Sequence, residues 1–152
     1  MTHPTNLSRP IIEALYSEAL VLADDVRAVF ALGAKAPEQG ENTAVRLALS
    51  TEGLKTTTRM MHLLAWLLNQ RAFFSGDLSE NQVRNHGSLP PDRPADPLQL
   101  ELLEAETREL IAETVALHRR IARLDAAWRN GFETGSPARE LRRRIKLEFK
   151  QG

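Results

Sequence analysis

Cysteine is missing from all 152 residues. Its absence excludes disulfide staples, a thiolate nucleophile and any Cys-based zinc site. It also agrees with a reducing cytoplasm, the expected location. Long apolar runs are missing too. The densest stretch, Met60 to Leu68, holds nine residues and includes His62, whereas about twenty are needed to cross a bilayer. No membrane partner is expected. The polar segment Met1 to Arg9 lacks the basic-then-apolar layout of a signal peptide. Net charge is also absent, because 20 basic residues balance 20 acidic ones, which argues against generic nucleic-acid binding. The balance is uneven along the chain. Pro137 to Gly152 holds six basic residues and two acidic ones, so the tail stands at +4 and the remainder at −4. A tail of opposite sign suggests docking on its own body or an arm offered to an acidic partner.

What is present is helical periodicity. The chain is long enough for one domain with a real core, and no strand pattern or internal repeat is convincing. The spacing predicts an all-α fold, an antiparallel three-helix bundle over 1–135 followed by a basic C-terminal segment over 136–152. Helix 1 is expected near 10–33, with Ser8 as N-cap and Pro10 in the first turn. Its seam is Ile12, Leu15, Ala19, Leu22, Val26 and Val29, at spacings of three and four. Gly33 and Pro37 act as stop signals, and Lys35 to Gly40 reads as a short loop. Helix 2 is expected over 41–74, closed by Ser75-Gly76. Its first half is rich in Ser, Thr and Gly, poor helix formers, and its second half is apolar almost all round. Two neighbours leave one face of such a helix in water, so a second subunit is the simplest cover, and a homodimer is expected.

Ser79 to Gln82 fits a capping box that opens a short helix from Glu80 to about His86. Gly87 to Pro97 holds four prolines and reads as an exposed connection. Asp96-Pro97 then opens helix 3, expected over 97–130 and unbroken at Thr107 and Thr114. Its seam is Leu100, Leu103, Thr107, Leu110, Thr114, Leu117, Ile121, Leu124 and Trp128, with Asn130-Gly131 as its end. The buried hydroxyls would bond across an interface or back to a carbonyl of the preceding turn. Beyond Gly135, Leu141, Ile145 and Phe149 recur every four residues, the mark of one amphipathic basic helix.

On a helical wheel of helix 2, Lys55, Arg59, His62 and Asn69 fall on one polar stripe, with Trp66 and Phe73 in its middle. Two readings stand side by side. Arg59, His62, Trp66, Asn69 and Phe73 form a protein-interaction surface, or the two rings belong to the monomer core. Arg139, Arg142, Arg143, Arg144, Lys146 and Phe149 are the candidate contacts of the tail. No catalytic constellation is found. The four histidines, His3, His62, His86 and His118, lack metal-ligand spacing, the Glu-x-x-His pattern of a di-iron bundle is absent, and no Gly-rich phosphate loop follows a strand. No cofactor and no metal are expected.

The stretch Ser50 to Ser79 is the most distinctive. Thr58-Arg59-Met60-Met61, Trp66-Leu67-Leu68, Gln70-Arg71-Ala72 and Gly76-Asp77-Leu78-Ser79 resemble the bacterial family named for regulation of CtrA degradation, the RcdA-like proteins. The resemblance covers about thirty residues. It implies a dimeric three-helix protein without enzymatic activity, an adaptor in cell-cycle proteolysis. Such a protein helps deliver regulatory cargo, directly or through further adaptor proteins, to the ClpXP protease. The alternative is a nucleic-acid-associated regulator working through the basic C-terminal segment.

Overall fold

The computed structural model describes residues 8–34, 43–135 and 144–150. Every regular element among them is a helix: α1 (Arg9–Ala34), α2 (Thr43–Phe74), α3 (Glu80–His86), α4 (Pro97–Leu100), α5 (Ala105–Gly135) and α6 over 144–150. No helix of the described residues is long and apolar enough to cross a membrane. The loop expected at Lys35 to Gly40 and the tail candidates Arg139, Arg142 and Arg143 lie outside the described residues.

Local chemistry accounts for most of the boundaries. The Ile12 amide donates to the Ser8 carbonyl at 3.1 Å, opening α1 where the cap was expected. Gly76 closes α2 with φ of 84°, a left-handed conformation that favours glycine. The bonds around it, Asp77 N–H to Ala72 carbonyl and Gly76 N–H to Phe73 carbonyl, form a Schellman motif. Ser79 and Gln82 make the reciprocal capping box that opens α3.

One core joins the long helices: Ile12, Leu15, Ala19, Leu22 and Val26 from α1, Met60, Leu63, Trp66 and Leu67 from α2, and Leu110, Leu117, Ile121 and Trp128 from α5, with Val83 of α3. Side-chain pairs give the directions. Arg71 near the end of α2 meets Glu13 at the start of α1, and Gly53 near the start of α2 lies against Phe30 near the end of α1. These two helices are therefore antiparallel. Along α2 and α5, however, Arg59 meets Thr114, Trp66 meets Asp125 and Phe73 meets Trp128. The two helices run in the same direction, which corrects the expected antiparallel succession. The chain must travel back between them, and the segment between α3 and α4 makes that journey. Ten extended residues, 87–96, reach about 33 Å, close to the ~36 Å that helical rise puts between the levels of Ala105 and Arg129.

The third expected helix is not continuous either. It starts at Pro97 behind the Asp96 cap, whose side chain accepts from Leu98 N–H. It stops at Leu100, turns through bonds from Leu102 N–H to Gln99 and from Leu103 N–H to Leu100, and restarts at Ala105. Packing explains the break. The turn folds Leu100 and Leu103 down onto Ala48 and Ile111, sealing that end of the molecule with a second apolar cluster that includes Phe30 and Ala95. At its other end α5 continues through Asn130-Gly131 to Gly135.

Candidate functional site

An extended segment has backbone N–H and C=O groups that no helix satisfies, so burying it requires side-chain partners. Here they come from α2 and α5, between which segment 87–96 is seated as a strap. Asp125 Oδ2 accepts from Leu89 N–H at 3.4 Å, and His118 Nε2 bonds the Pro90 carbonyl at 3.2 Å. A carbonyl can only accept, so that ring nitrogen carries the hydrogen. Arg59 Nε donates to both Asp92 oxygens at 2.9 Å, and its Nη2 donates to the Arg93 carbonyl at 3.2 Å. Lys55 Nζ reaches the Pro94 carbonyl at 3.3 Å, and Glu52 Oε1 accepts from Asp96 N–H at 3.2 Å. Arg129 extends the ladder to the Arg84 carbonyl of α3. The connection is exposed at Ser88, Pro91, Arg93 and Pro94, as expected, yet its backbone is held from both sides along its length.

This ladder determines where the sequence-predicted site residues lie. Arg59 is fully buried, and its third partner is the Thr114 hydroxyl at 2.9 Å, which itself donates to the Ile111 carbonyl. Trp66 is buried too, its Nε1–H donating to Asp125 Oδ1 at 2.9 Å. Phe73, half-buried, stands edge-on to Trp128 and Phe74. Of the two readings for the aromatic rings, membership of the monomer core is the one realised. His62 and Asn69 are half-buried at the border of that face. Arg144, Lys146 and Phe149 sit on α6, exposed along its whole length. Arg71 is bound to Glu13 at 2.8 Å and stacks over Tyr16. The Glu13 hydrogen bond holds this guanidinium above its usual range, partly offset by desolvation. Arg59, Glu52 and Trp66 of the distinctive stretch therefore hold the fold from inside, while Arg71 ties α2 to α1 at the surface.

The outward face of α2 carries a different pattern. Leu47, Leu54, Met61 and Leu68 are 61%, 63%, 64% and 47% exposed. They recur every seven residues, so they form one stripe about 31 Å long. Four positions after each come Thr51, Thr58, Ala65 and Ala72, small enough for a second helix to approach closely. Sequence reasoning missed this stripe although its seven-residue repeat is visible. The all-round apolarity of helix 2 masks it, and the aromatic rings are the more conspicuous signal.

Two clefts also lie among the described residues. One, between α1 and α5, is about 450 Å³ and is floored by Val21, Leu22, Ala116 and Leu117, with Glu18, Asp25 and Glu113 at its rim. The other, between the strap and α5, is about 520 Å³ with Ile111, Ala112 and Val115 on its floor and Arg108 and Arg119 at its edge. Among the described residues no group of three or more His, Asp or Glu side chains is placed to hold a metal ion.

A model of the family described as "Protein of unknown function (DUF1465)" matches residues 4–149. No curated protein and no solved structure matches significantly.

Proposed function

The chain belongs to the DUF1465 family, and we propose that it is a non-enzymatic adaptor acting through protein–protein contacts in the cytoplasm. In this reading it is a homodimer of helical bundles that helps bring cell-cycle regulatory proteins to the ClpXP protease, alone or with further adaptor proteins. The observation that carries the reading is the outward stripe of α2. Four large aliphatic side chains in heptad register, beside a row of small ones, are suited to a second α2 packed alongside. Three of the four stripe residues, Leu54, Met61 and Leu68, and half of the strap-holding residues, Glu52, Lys55 and Arg59, come from the stretch that resembles the RcdA-like adaptors. The resemblance supplies the protease and the class of cargo, while the stripe supplies a reason for self-association.

Reconstituted proteolysis tests the proposal. Purified ClpXP is mixed with a CtrA-type regulator, with and without the protein and its companion adaptors, and loss of the regulator is followed over time. The adaptor reading requires faster degradation when the protein is added, and weaker acceleration when Met61→Asp replaces wild type. Unchanged rates in every combination would sink it. A mobility-shift assay with duplex DNA checks the nucleic-acid alternative, which requires binding that disappears on deleting 137–152.

A further inference from the structure

The basic helix α6 leaves Ile145, Leu147 and Phe149 exposed at 44%, 52% and 82%. Ile145 and Phe149 lie one turn apart on one face, with Lys146 and Lys150 beside them. Helices this short are not stable alone and require an apolar surface to lie on. Among the apolar surfaces of the described residues, charge separates three: the outward face of α2, the cleft beside the strap and the α1/α5 groove. The outward face of α2 presents no carboxylate, because the only acidic residue of that helix, Glu52, is fully buried. The cleft beside the strap is edged by Arg108 and Arg119, which would repel a cationic helix, and its Asp92 is already bonded to Arg59. The α1/α5 groove pairs an apolar floor with the carboxylates of Glu18, Asp25 and Glu113. Its one cation, Arg120, is bound to Glu18 at 2.9 Å.

We propose that the α1/α5 groove is the docking site of this chain's own basic helix α6, with Ile145 and Phe149 seated over Val21, Leu22, Ala116 and Leu117. Length and direction agree with charge. Helical rise sets Gly135 about 22 Å beyond the level of Arg120 and Glu18, and the chain from 135 to 144 spans up to ~30 Å when extended. Residue 144 therefore reaches the Glu18 end of the groove within the same molecule. From there α6 covers ~10 Å, the rise of seven helical residues, which is also the interval from Glu18 to Asp25 and from Arg120 back to Glu113. Laid against α5 in the opposite direction, α6 brings Lys150 level with Glu113 and Asp25 and sets Lys146 beside Glu18. The groove is then a recognition surface for a basic amphipathic helix, and any external partner of that kind must displace the internal one.

The absence of native cysteine makes the test direct. A groove pair, Asp25→Cys with Lys150→Cys, is compared with a control pair, Arg119→Cys with Lys150→Cys, in the full chain at low micromolar concentration under a mild oxidant. The expected result is an intramolecular cross-link that forms at least tenfold faster in the groove pair than in the control. Adding Glu18→Lys to the groove pair should slow it about tenfold, and adding Lys146→Glu to that chain should restore it. The rescue separates lost attraction from a damaged fold. Equal rates in the two pairs, cross-links formed mainly between chains, or a Glu18→Lys chain that reacts as fast as its parent would each overturn the proposal.

Discussion

Arg59 and Asp92 are not equal partners. The arginine side chain is fully buried while the aspartate retains 21% exposure, so removing one strands a charge in the interior and removing the other leaves a carboxylate that water still reaches. Asp92→Ala is expected to cost about 3 kcal/mol, whereas Arg59→Leu should cost less, about 1.5 kcal/mol. Urea denaturation of both variants checks the order, and equal losses would mean that the stranded charge is not the dominant effect. Trp66 separates in a similar way. Trp66→Phe removes the bond to Asp125 and part of the buried ring and should cost about 2 kcal/mol, and Trp66→Ala, which leaves a larger cavity, about 4 kcal/mol. Sedimentation should give both variants the association state of wild type, because the ring faces the core rather than the outward stripe. The identities of these residues stood out in the sequence, but their roles did not. A wheel places Arg59 and Trp66 on one face without saying what covers it, and the cover is a segment some thirty residues away with no periodicity of its own.

Among the elements, α1, α2 and α3 were legible because their ends are set by local bonds: Ser8, the Gly76 turn, and the Ser79–Gln82 box. The break before α5 was not. Glu101-Leu102-Leu103-Glu104 contains good helix formers, and Leu100 and Leu103 continue the three-four seam. The helix yields there because Leu103 gains more from covering Ala48 than from staying in line, a long-range packing effect invisible to spacing. Gly53 is the reverse case, a poor helix former whose reason is tertiary. A Cβ at this position would lie 2.8 Å from the Phe30 ring. Gly53→Ala improves helix propensity by about 1 kcal/mol, yet forces that ring away, and overpacking costs 1–3 kcal/mol. The expected net result is a loss of about 1 kcal/mol in thermal or chemical unfolding, and a gain in stability would show that Phe30 moves freely.

For the whole molecule, the all-helical fold class followed from the sequence, and the direction of the helices did not. Periodicity gives the faces of helices and never their order in space. The outward stripe of α2 makes the strongest prediction at this scale. Met61→Asp places a charge in the middle of a face that has no role in the monomer core. It should weaken self-association at least a hundredfold, about 2.7 kcal/mol, and leave the melting temperature of the dilute protein within a few degrees. Sedimentation equilibrium and calorimetry read the two quantities separately. A wild type that is monomeric at high micromolar concentration would remove the dimer, and with it the main support for the adaptor reading.

The sequence separations bridged by the strap lead us to expect an effect on the folding rate as well. Antiparallel neighbours zip from a short loop outward, whereas parallel ones share a nearly constant sequence separation and have no short end to start from. Arg59–Thr114 closes a span of 55 residues and Trp66–Asp125 one of 59. Segment 87–96 divides that journey, since Arg59 reaches Asp92 across 33 residues and Pro90 reaches His118 across 28. Each halving of a loop lowers its closure entropy by about 0.6 kcal/mol, and two modest closures replace one long search. The strap is thus a stepping stone in assembly as well as a seam in the finished molecule. Asp92→Ala should accordingly slow refolding in stopped-flow measurements, in addition to speeding unfolding.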